Sequence, residues 1–345
     1  CAKNLPEPAV IPSENFNTIL YTGNDNDNHA ITGVGFQPDF LWIKNRGTTD
    51  IHELVDAARG QFSGGNGLGR LRSNDTTAEI DSTIEGFTAD GFTLDAGADS
   101  NASGATGVSW NWKANGSGST DTSGDIDAVV SANQAAGFSV VTWTATGSNT
   151  ATIPHGLGVA PEIIFYKARS TSGNWNTWTT AIDGSNDSLL LNTTAAKSDN
   201  SGSYGNLTSS FFPNWGLGNG ITMVAYSFAS KPGFSKIGVY TGNGSATAGP
   251  FVNCGFKPAW LLIKNTSNAQ DWILFDNKRD PSNVTQQFLY PNLNNAEAAG
   301  GANVLDLVSN GFKLRNAGTR NRNYNGDVYF FMAFADSPFK TATAH

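Results

Sequence analysis

The chain has 345 residues, of which only 14 % are charged while 39 % are hydrophobic and 11 % aromatic, which excludes a highly charged disordered polypeptide and leaves material for more than one core. Lys and Arg total 21 against 29 Asp and Glu, a net charge of −8, so no basic field exists to hold a phosphate backbone and nucleic acid is not expected as a partner. Gly, Asn, Ser and Thr take the place of charge, a composition that predicts short strands joined by tight turns.

Residues 1–15, with Pro6, Pro8 and Pro12, read as an extended lead-in. Cys1 has two readings, the acylated first residue of a mature lipoprotein or an arbitrary start within a longer chain. Cys254 is the only other cysteine, and two cysteines make no disulfide framework. It aligns with Val34 and Leu157 in the scheme below and reads as a small buried hydrophobe.

From residue 16 onward one pattern occurs three times: an aromatic-Thr strand end, a Gly-rich stretch, then Pro and a hydrophobic strand closing on Lys. The first copy, 16–115, runs from Tyr21-Thr22-Gly23 through Gly33 and Pro38 to Lys44. Ile51 to Gly60 follows, with room for one or two helical turns, and the copy closes on the alternating strand Val108 to Trp112. Residues 116–136 read as a linker and strand lead-in. The second copy, 137–230, carries Trp143-Thr144, Gly156, Pro161 and Lys167 and closes on Val224 to Phe228. The third, 231–345, carries Tyr240-Thr241-Gly242, Gly255, Pro258 and Lys264 and closes on Phe330 to Phe334. The expected fold is all-β, three tandem β-sandwich or jelly-roll-like repeats of about 100 residues each. The longest apolar runs, such as Ala259 to Ile263, are far shorter than a bilayer requires, so no transmembrane helix is expected.

Candidate chemistry is sparse. Asp56 lies twelve residues past Lys44, with Arg59 three further on and Glu79 beyond. Asp276, Arg279 and Glu297 repeat that spacing after Lys264, whereas the second copy has Thr179, Ile182 and Lys197. Two carboxylates are what a glycosidase needs, but their recurrence beside an arginine points to structural ion pairs. Trp175, Trp178, Tyr204 and Trp215 stand among Gly, Asn and Ser, a setting compatible with stacking on sugar rings as well as with ordinary burial. Asp25 and Asp27 are calcium-type ligands in a run without the glycine and closing glutamate of an EF-hand loop. No zinc spacing, phosphate loop or nucleophile elbow occurs, so no catalytic residue, resident metal or cofactor is assigned.

The strings Tyr21-Thr-Gly-Asn, Gly33 to Arg46, Trp110-Asn-Trp-Lys-Ala-Asn-Gly, Val130-Ser-Ala-Asn and Met332-Ala-Phe-Ala-Asp-Ser-Pro-Phe-Lys resemble a repeat-containing family of virion-associated proteins of tailed bacteriophages, especially marine and cyanobacterial ones. The resemblance covers nearly everything from residue 16 on. It implies a non-enzymatic structural protein on the virion surface, in a tail fibre or spike that attaches to the host, or a head decoration protein. Its partners would be other virion proteins, with a host-surface glycan as ligand of the attachment form, in a homo-oligomer or larger assembly. Two alternatives stand beside it: a carbohydrate-binding or glycan-cleaving surface protein, and a bacterial surface lipoprotein or filament subunit.

Overall fold

The computed structural model describes residues 9–336 apart from 98, 201–204, 216, 300–303 and 316–318. Among the described residues the regular structure is β throughout, save one 3-10 turn at Pro12–Glu14. That turn interrupts the lead-in expected to be extended, because Pro12 sits where its preset φ favours a turn and its missing N–H is not needed. Residues 1–8, Cys1 included, lie outside the described residues.

In chain order the first strands are β1 (Phe16–Thr22), β2 (His29–Thr32), β3 (Phe40–Asn45), β4 (His52–Asp56), β5 (Gly69–Arg70), β6 (Ile80–Asp81), β7 (Ile84–Thr88), β8 (Gly91–Leu94) and β9 (Thr106–Trp112). Then come β10 (Ser119–Asp121), β11 (Ala128–Asn133), β12 (Phe138–Thr144), β13 (Thr152–Pro154), β14 (Ile163–Ala168), β15 (Asn176–Thr179), β16 (Asp187–Leu190), β17 (Ser198–Asp199), β18 (Phe211–Pro213) and β19 (Thr222–Phe228). The last are β20 (Ser235–Thr241), β21 (Phe251–Asn253), β22 (Pro258–Asn265), β23 (Ile273–Asp276), β24 (Gln287–Phe288), β25 (Ala298–Ala299), β26 (Leu305–Val308), β27 (Gly311–Leu314) and β28 (Val328–Ala335).

Two sheets have four strands, in the orders β1-β9-β3-β4 and β20-β28-β22-β23, and each is backed by three strands, β2-β8-β7 and β21-β27-β26. Between them lies an eight-stranded sheet, β10-β11-β12-β19-β14-β15-β16-β17, accompanied by the pair β13-β18. None of the sheets is closed. Two expectations are corrected here. Ile51 to Gly60 supplies β4 rather than helical turns, since Leu54 and Val55 must point to opposite buried faces. Residues 116–136 are not a free linker, because β10 and β11 extend the middle sheet beyond β12.

The faces of these sheets explain the architecture. Outward-facing residues form three separate clusters, one per sheet: Leu41, Ile43 and Val55 meet Ile31, Phe92 and Leu94, and the other two sheets have their own equivalents. Inward-facing residues of all three sheets form one cluster, with Phe40 and Trp42, Ile163 and Phe165, and Trp260 and Leu262 as successive alternate residues of β3, β14 and β22. Trp112 is its hub, with ring centroids 4.9 Å from Phe16, 5.1 Å from Phe40, 6.4 Å from Phe228, 5.6 Å from Trp260 and 5.6 Å from Phe334. Within the two backing sheets neighbouring strands approach so closely that a Cβ on Gly91 of β8 or Gly311 of β27 would meet the carbonyl of Ile31 of β2 or Val252 of β21 at 1.9 Å.

Because one aromatic residue touches all three sheets, they should melt together. Trp112→Ala is expected to cost about 3–5 kcal/mol, and urea unfolding of the wild-type chain followed by fluorescence and circular dichroism should give one coincident transition. Separated transitions would mean that the sheets are held by independent cores.

Candidate functional site

The charged residues singled out by spacing come together where the sheets meet. At the end of β4, Arg59 donates its backbone N–H to Asp56 Oδ1 (2.8 Å), Nε to Asp56 Oδ2 (2.5 Å), Nη1 to Glu79 Oε1 (2.8 Å) and Nη2 to the Leu54 carbonyl (2.8 Å). The Tyr226 hydroxyl, from β19 of the middle sheet, donates to Asp56 Oδ2 at 2.7 Å. Burial opposes the Arg59 charge, but Asp56, Tyr226 and Glu79 together outweigh it and hold the guanidinium above its ordinary pKa. Burial, and then Asp56, keep Tyr226 neutral well beyond the usual phenol range.

The second cluster follows the same plan. Arg279 binds Asp276 through N–H (2.8 Å) and Nε (2.5 Å), Glu297 through Nη1 (2.8 Å) and the Leu274 carbonyl through Nη2 (3.0 Å). Here the outside donor is Trp110 of β9, whose Nε1 reaches Asp276 Oδ2 at 2.9 Å and whose ring lies 5.6 Å beneath the guanidinium. In the middle sheet Thr179 turns its hydroxyl to the Glu162 carbonyl, Ile182 packs on the shared core, and Lys197 binds Asp187 at 2.9 Å.

Around the clusters, segments of one sheet strap onto the next. The backbone N–H of Glu79 donates to the Arg169 carbonyl (2.8 Å), that of Lys197 to Thr266 (3.0 Å) and that of Glu297 to Arg46 (2.8 Å). Two of these straps add charge, Arg169 with Glu79 at 2.9 Å and Arg46 with Glu297 at 2.6 Å. Indole donors reinforce two of them: Trp175 Nε1 bonds the Arg72 carbonyl (2.6 Å) and Trp272 Nε1 that of Leu190 (2.9 Å). His52, like them eight residues past its lysine, instead accepts from Trp42 Nε1 at 3.0 Å, and burial followed by Lys44 keeps it neutral.

Those lysines were marked in the sequence only as the ends of the repeated strand, not as members of the site. Lys44, Lys167 and Lys264 are buried and donate to carbonyls, among them Thr48 (3.0 Å), Thr76 (3.1 Å) and Thr194 (3.1 Å). Burial pushes each ammonium down to about 8, with Asp50, Asp75 and Asp271 respectively opposing it. Trp110 and Tyr226 were missed as well, since nothing local marks a donor that reaches a carboxylate on another sheet.

The remaining candidates separate. Asp56 and Asp276 are 0 % exposed, and their oxygens already accept from arginine, so neither flanks an open groove as glycoside cleavage demands. The sugar-stacking expectation is corrected for three residues: Trp175, Trp178 and Trp215 are 0 %, 2 % and 5 % exposed, and Trp215 stacks on Phe212 and Tyr166 inside the middle sheet's own core. Tyr204 lies outside the described residues. Asp25 and Asp27 are engaged by backbone amides. Asp25 Oδ1 accepts from Gly97 N–H and Asp27 Oδ1 from Ala96 N–H, which ties the β1–β2 loop to the segment after β8. Among the described residues no three His, Cys, Asp or Glu side chains gather as metal ligands. Cys254 is buried, and burial pushes its thiol up to about 12, so it is not a reactive thiolate near neutral pH.

Fold and site together define an all-β protein in which the clustered charges hold three sheets to one another. The chain belongs to the family described as a domain of unknown function, DUF7483, whose pattern matches residues 11–338. No curated protein and no solved structure matches it.

Two predictions follow from the buried charges. Arg59→Met strands the buried Asp56 carboxylate, Glu79 keeping Arg169, and is expected to cost about 3–5 kcal/mol in urea unfolding, part of which Asp56→Asn in the same chain should return. For pH, the folded lysines release protons near 8 while unfolded lysines hold theirs to 10.5, so stability rises from about pH 8 towards pH 10. Beyond pH 10 the unfolded tyrosines ionise while Tyr226 and Tyr240 stay protonated in the fold, so stability falls again. Denaturant midpoints across that range test the sign, and a profile that declines from pH 8 to 10 contradicts it.

Proposed function

We propose that the chain is a non-enzymatic structural protein of the surface of a tailed-bacteriophage particle, in a tail fibre or spike that meets the host, or as a decoration protein on the head. In this reading it consists of three tandem β-sandwich-like repeats, at about 16–115, 137–230 and 231–345, folded as a single-chain counterpart of a trimer. The observation that carries the reading is the cycle of straps, Glu79 to Arg169, Lys197 to Thr266 and Glu297 to Arg46, which leads from the first sheet to the middle one, on to the third and back to the first. A ring so closed around one aromatic core is a rigid support for surface loops. The virion setting comes from the resemblance of the strings at Gly33 to Arg46 and Met332 onward. Its partners are other virion proteins, with a host glycan met by loops rather than by the buried tryptophans.

Immunogold microscopy of particles from cells that produce the chain, with antibody against residues 16–345, tests this. Label at tail tips is expected for attachment and a regular coat over the head for decoration. Unlabelled particles from cells that contain the protein would overturn the virion reading.

A further inference from the structure

Three strands hold the same place in their sheets, β1, β12 and β20, and their outer edges have three fates. On β12 the edge is occupied: β11 pairs Val129 with Thr142 and Ser131 with Val140, leaving Thr142 8 % exposed. On β20 it is blunted, since the strand carries exposed Lys236 and half-buried Gly238, residues that disfavour strand addition, and Ile237 N–H is bound by Ser230 Oγ (2.9 Å).

The edge of β1 shares only the cap on one N–H, that of Thr18 by Asn17 Oδ1 (2.9 Å), and has neither a covering strand nor a Lys or Gly. The bonds from Lys113 N–H to the Asn15 carbonyl and from Gly23 N–H to the Ala105 carbonyl place the odd-numbered residues' polar groups toward β9. Those of Leu20 and Thr22 therefore point outward, and among the described residues no hydrogen bond reaches them. Leu20 itself is 41 % exposed. No Lys, Pro, Gly or bulge interrupts the strand, whose partner register with β9 is continuous from Phe16 to Thr22.

This edge is complementary to itself. Residues 18–22 read Thr-Ile-Leu-Tyr-Thr, so a second strand turned antiparallel about Leu20 sets Thr18 against Thr22, Ile19 against Tyr21 and Leu20 against Leu20. Since the main-chain groups of Leu20 face out, the central pair exchanges two N–H···O bonds, as a two-fold axis requires. We propose that a second copy of this chain pairs along β1 about such an axis, fusing two four-stranded sheets into one of eight and covering Leu20. The ladder is short, because Thr18 is buried and its N–H donates to Asn17 Oδ1 (2.9 Å), so a dissociation constant of roughly micromolar order is expected. Only the comparison of the three edges rests on the repeat reading above.

Sedimentation equilibrium of the full chain from about 1 µM to about 200 µM should show monomer and dimer. Leu20→Lys is expected to raise the dissociation constant at least about tenfold, with unchanged thermal unfolding, while Val239→Lys on the β20 edge leaves it unaltered. Thr22→Lys, at the exposed end of the ladder, serves if Leu20→Lys does not fold. A chain monomeric throughout, a dimer indifferent to both β1 variants, or one dissolved equally by Val239→Lys would overturn the proposal. A monomer would leave the virion reading standing, and unlabelled virions would leave the dimer standing.

Discussion

Burial of each principal sheet on both faces is the constraint from which the rest follows. Alternate residues of β22, Trp260 and Leu262 against Leu261 and Ile263, enter two different cores, so the strand is apolar without a break from Pro258 to Ile263. A sheet with one wet face would alternate; one with two dry faces reads as a continuous run. The same holds for β3 and β14, and it makes the sheets mutually dependent, because removing any one would expose the inner faces of the other two.

Such a core leaves polar groups at its margins without water, and the chain meets that need with long cationic side chains. Lys44, Lys167 and Lys264 continue the inward-facing rows and cap carbonyls that would otherwise lack donors. Arg59 and Arg279 saturate a carboxylate pair and a strand carbonyl together, which an ammonium with its point charge could not arrange in one plane. Where the outside donor is Tyr226 or Trp110, the Asp/Arg pair is present. Where the corresponding position of the closing strand is Met332, which offers no donor, the Asp and Arg positions hold Thr179 and Ile182. A buried carboxylate is retained only where its full set of partners exists.

How far the sequence could be read depends on the range of the interaction. The Asp56, Arg59 and Glu79 spacing was legible as a set because the aspartate and arginine are local and a second copy stands at 276, 279 and 297. The β class was legible from turn residues and alternating strands. The shared core was not, since the run from Ala259 to Ile263 read as a hydrophobic strand too short for a membrane, without the further message of two buried faces. The tryptophans were left between sugar stacking and ordinary burial for a related reason: Gly, Asn and Ser around Trp175 suggested a wet surface, yet the indole is buried at a contact with Arg72, 103 residues away. Alignment eight residues past each lysine, which matches Trp175 with Trp272 and His52, was the available signal. Ile51 to Gly60 failed because a five-residue strand is too short for its period to outweigh local helical preference.

The contact between the third sheet and the first is the one that the path of the chain leaves to side chains. Between the middle and third sheets the chain passes directly from Phe228 at the end of β19 to Ser235 at the start of β20, and there the strap has no ion pair, only backbone, indole and ammonium donors to carbonyls, Lys197 having turned to Asp187. No such short connection joins the third sheet to the first. At that contact Arg46 directs Nε and Nη2 to both oxygens of Glu297, which also holds Arg279. A covalent link raises the effective concentration of two surfaces and relaxes the demand on their attraction, whereas a contact that must close by itself needs a directional pair. Glu297 thus serves both the interior of its own sheet and the closure of the ring, and the arginine pair that it bridges ties the last sheet to the first.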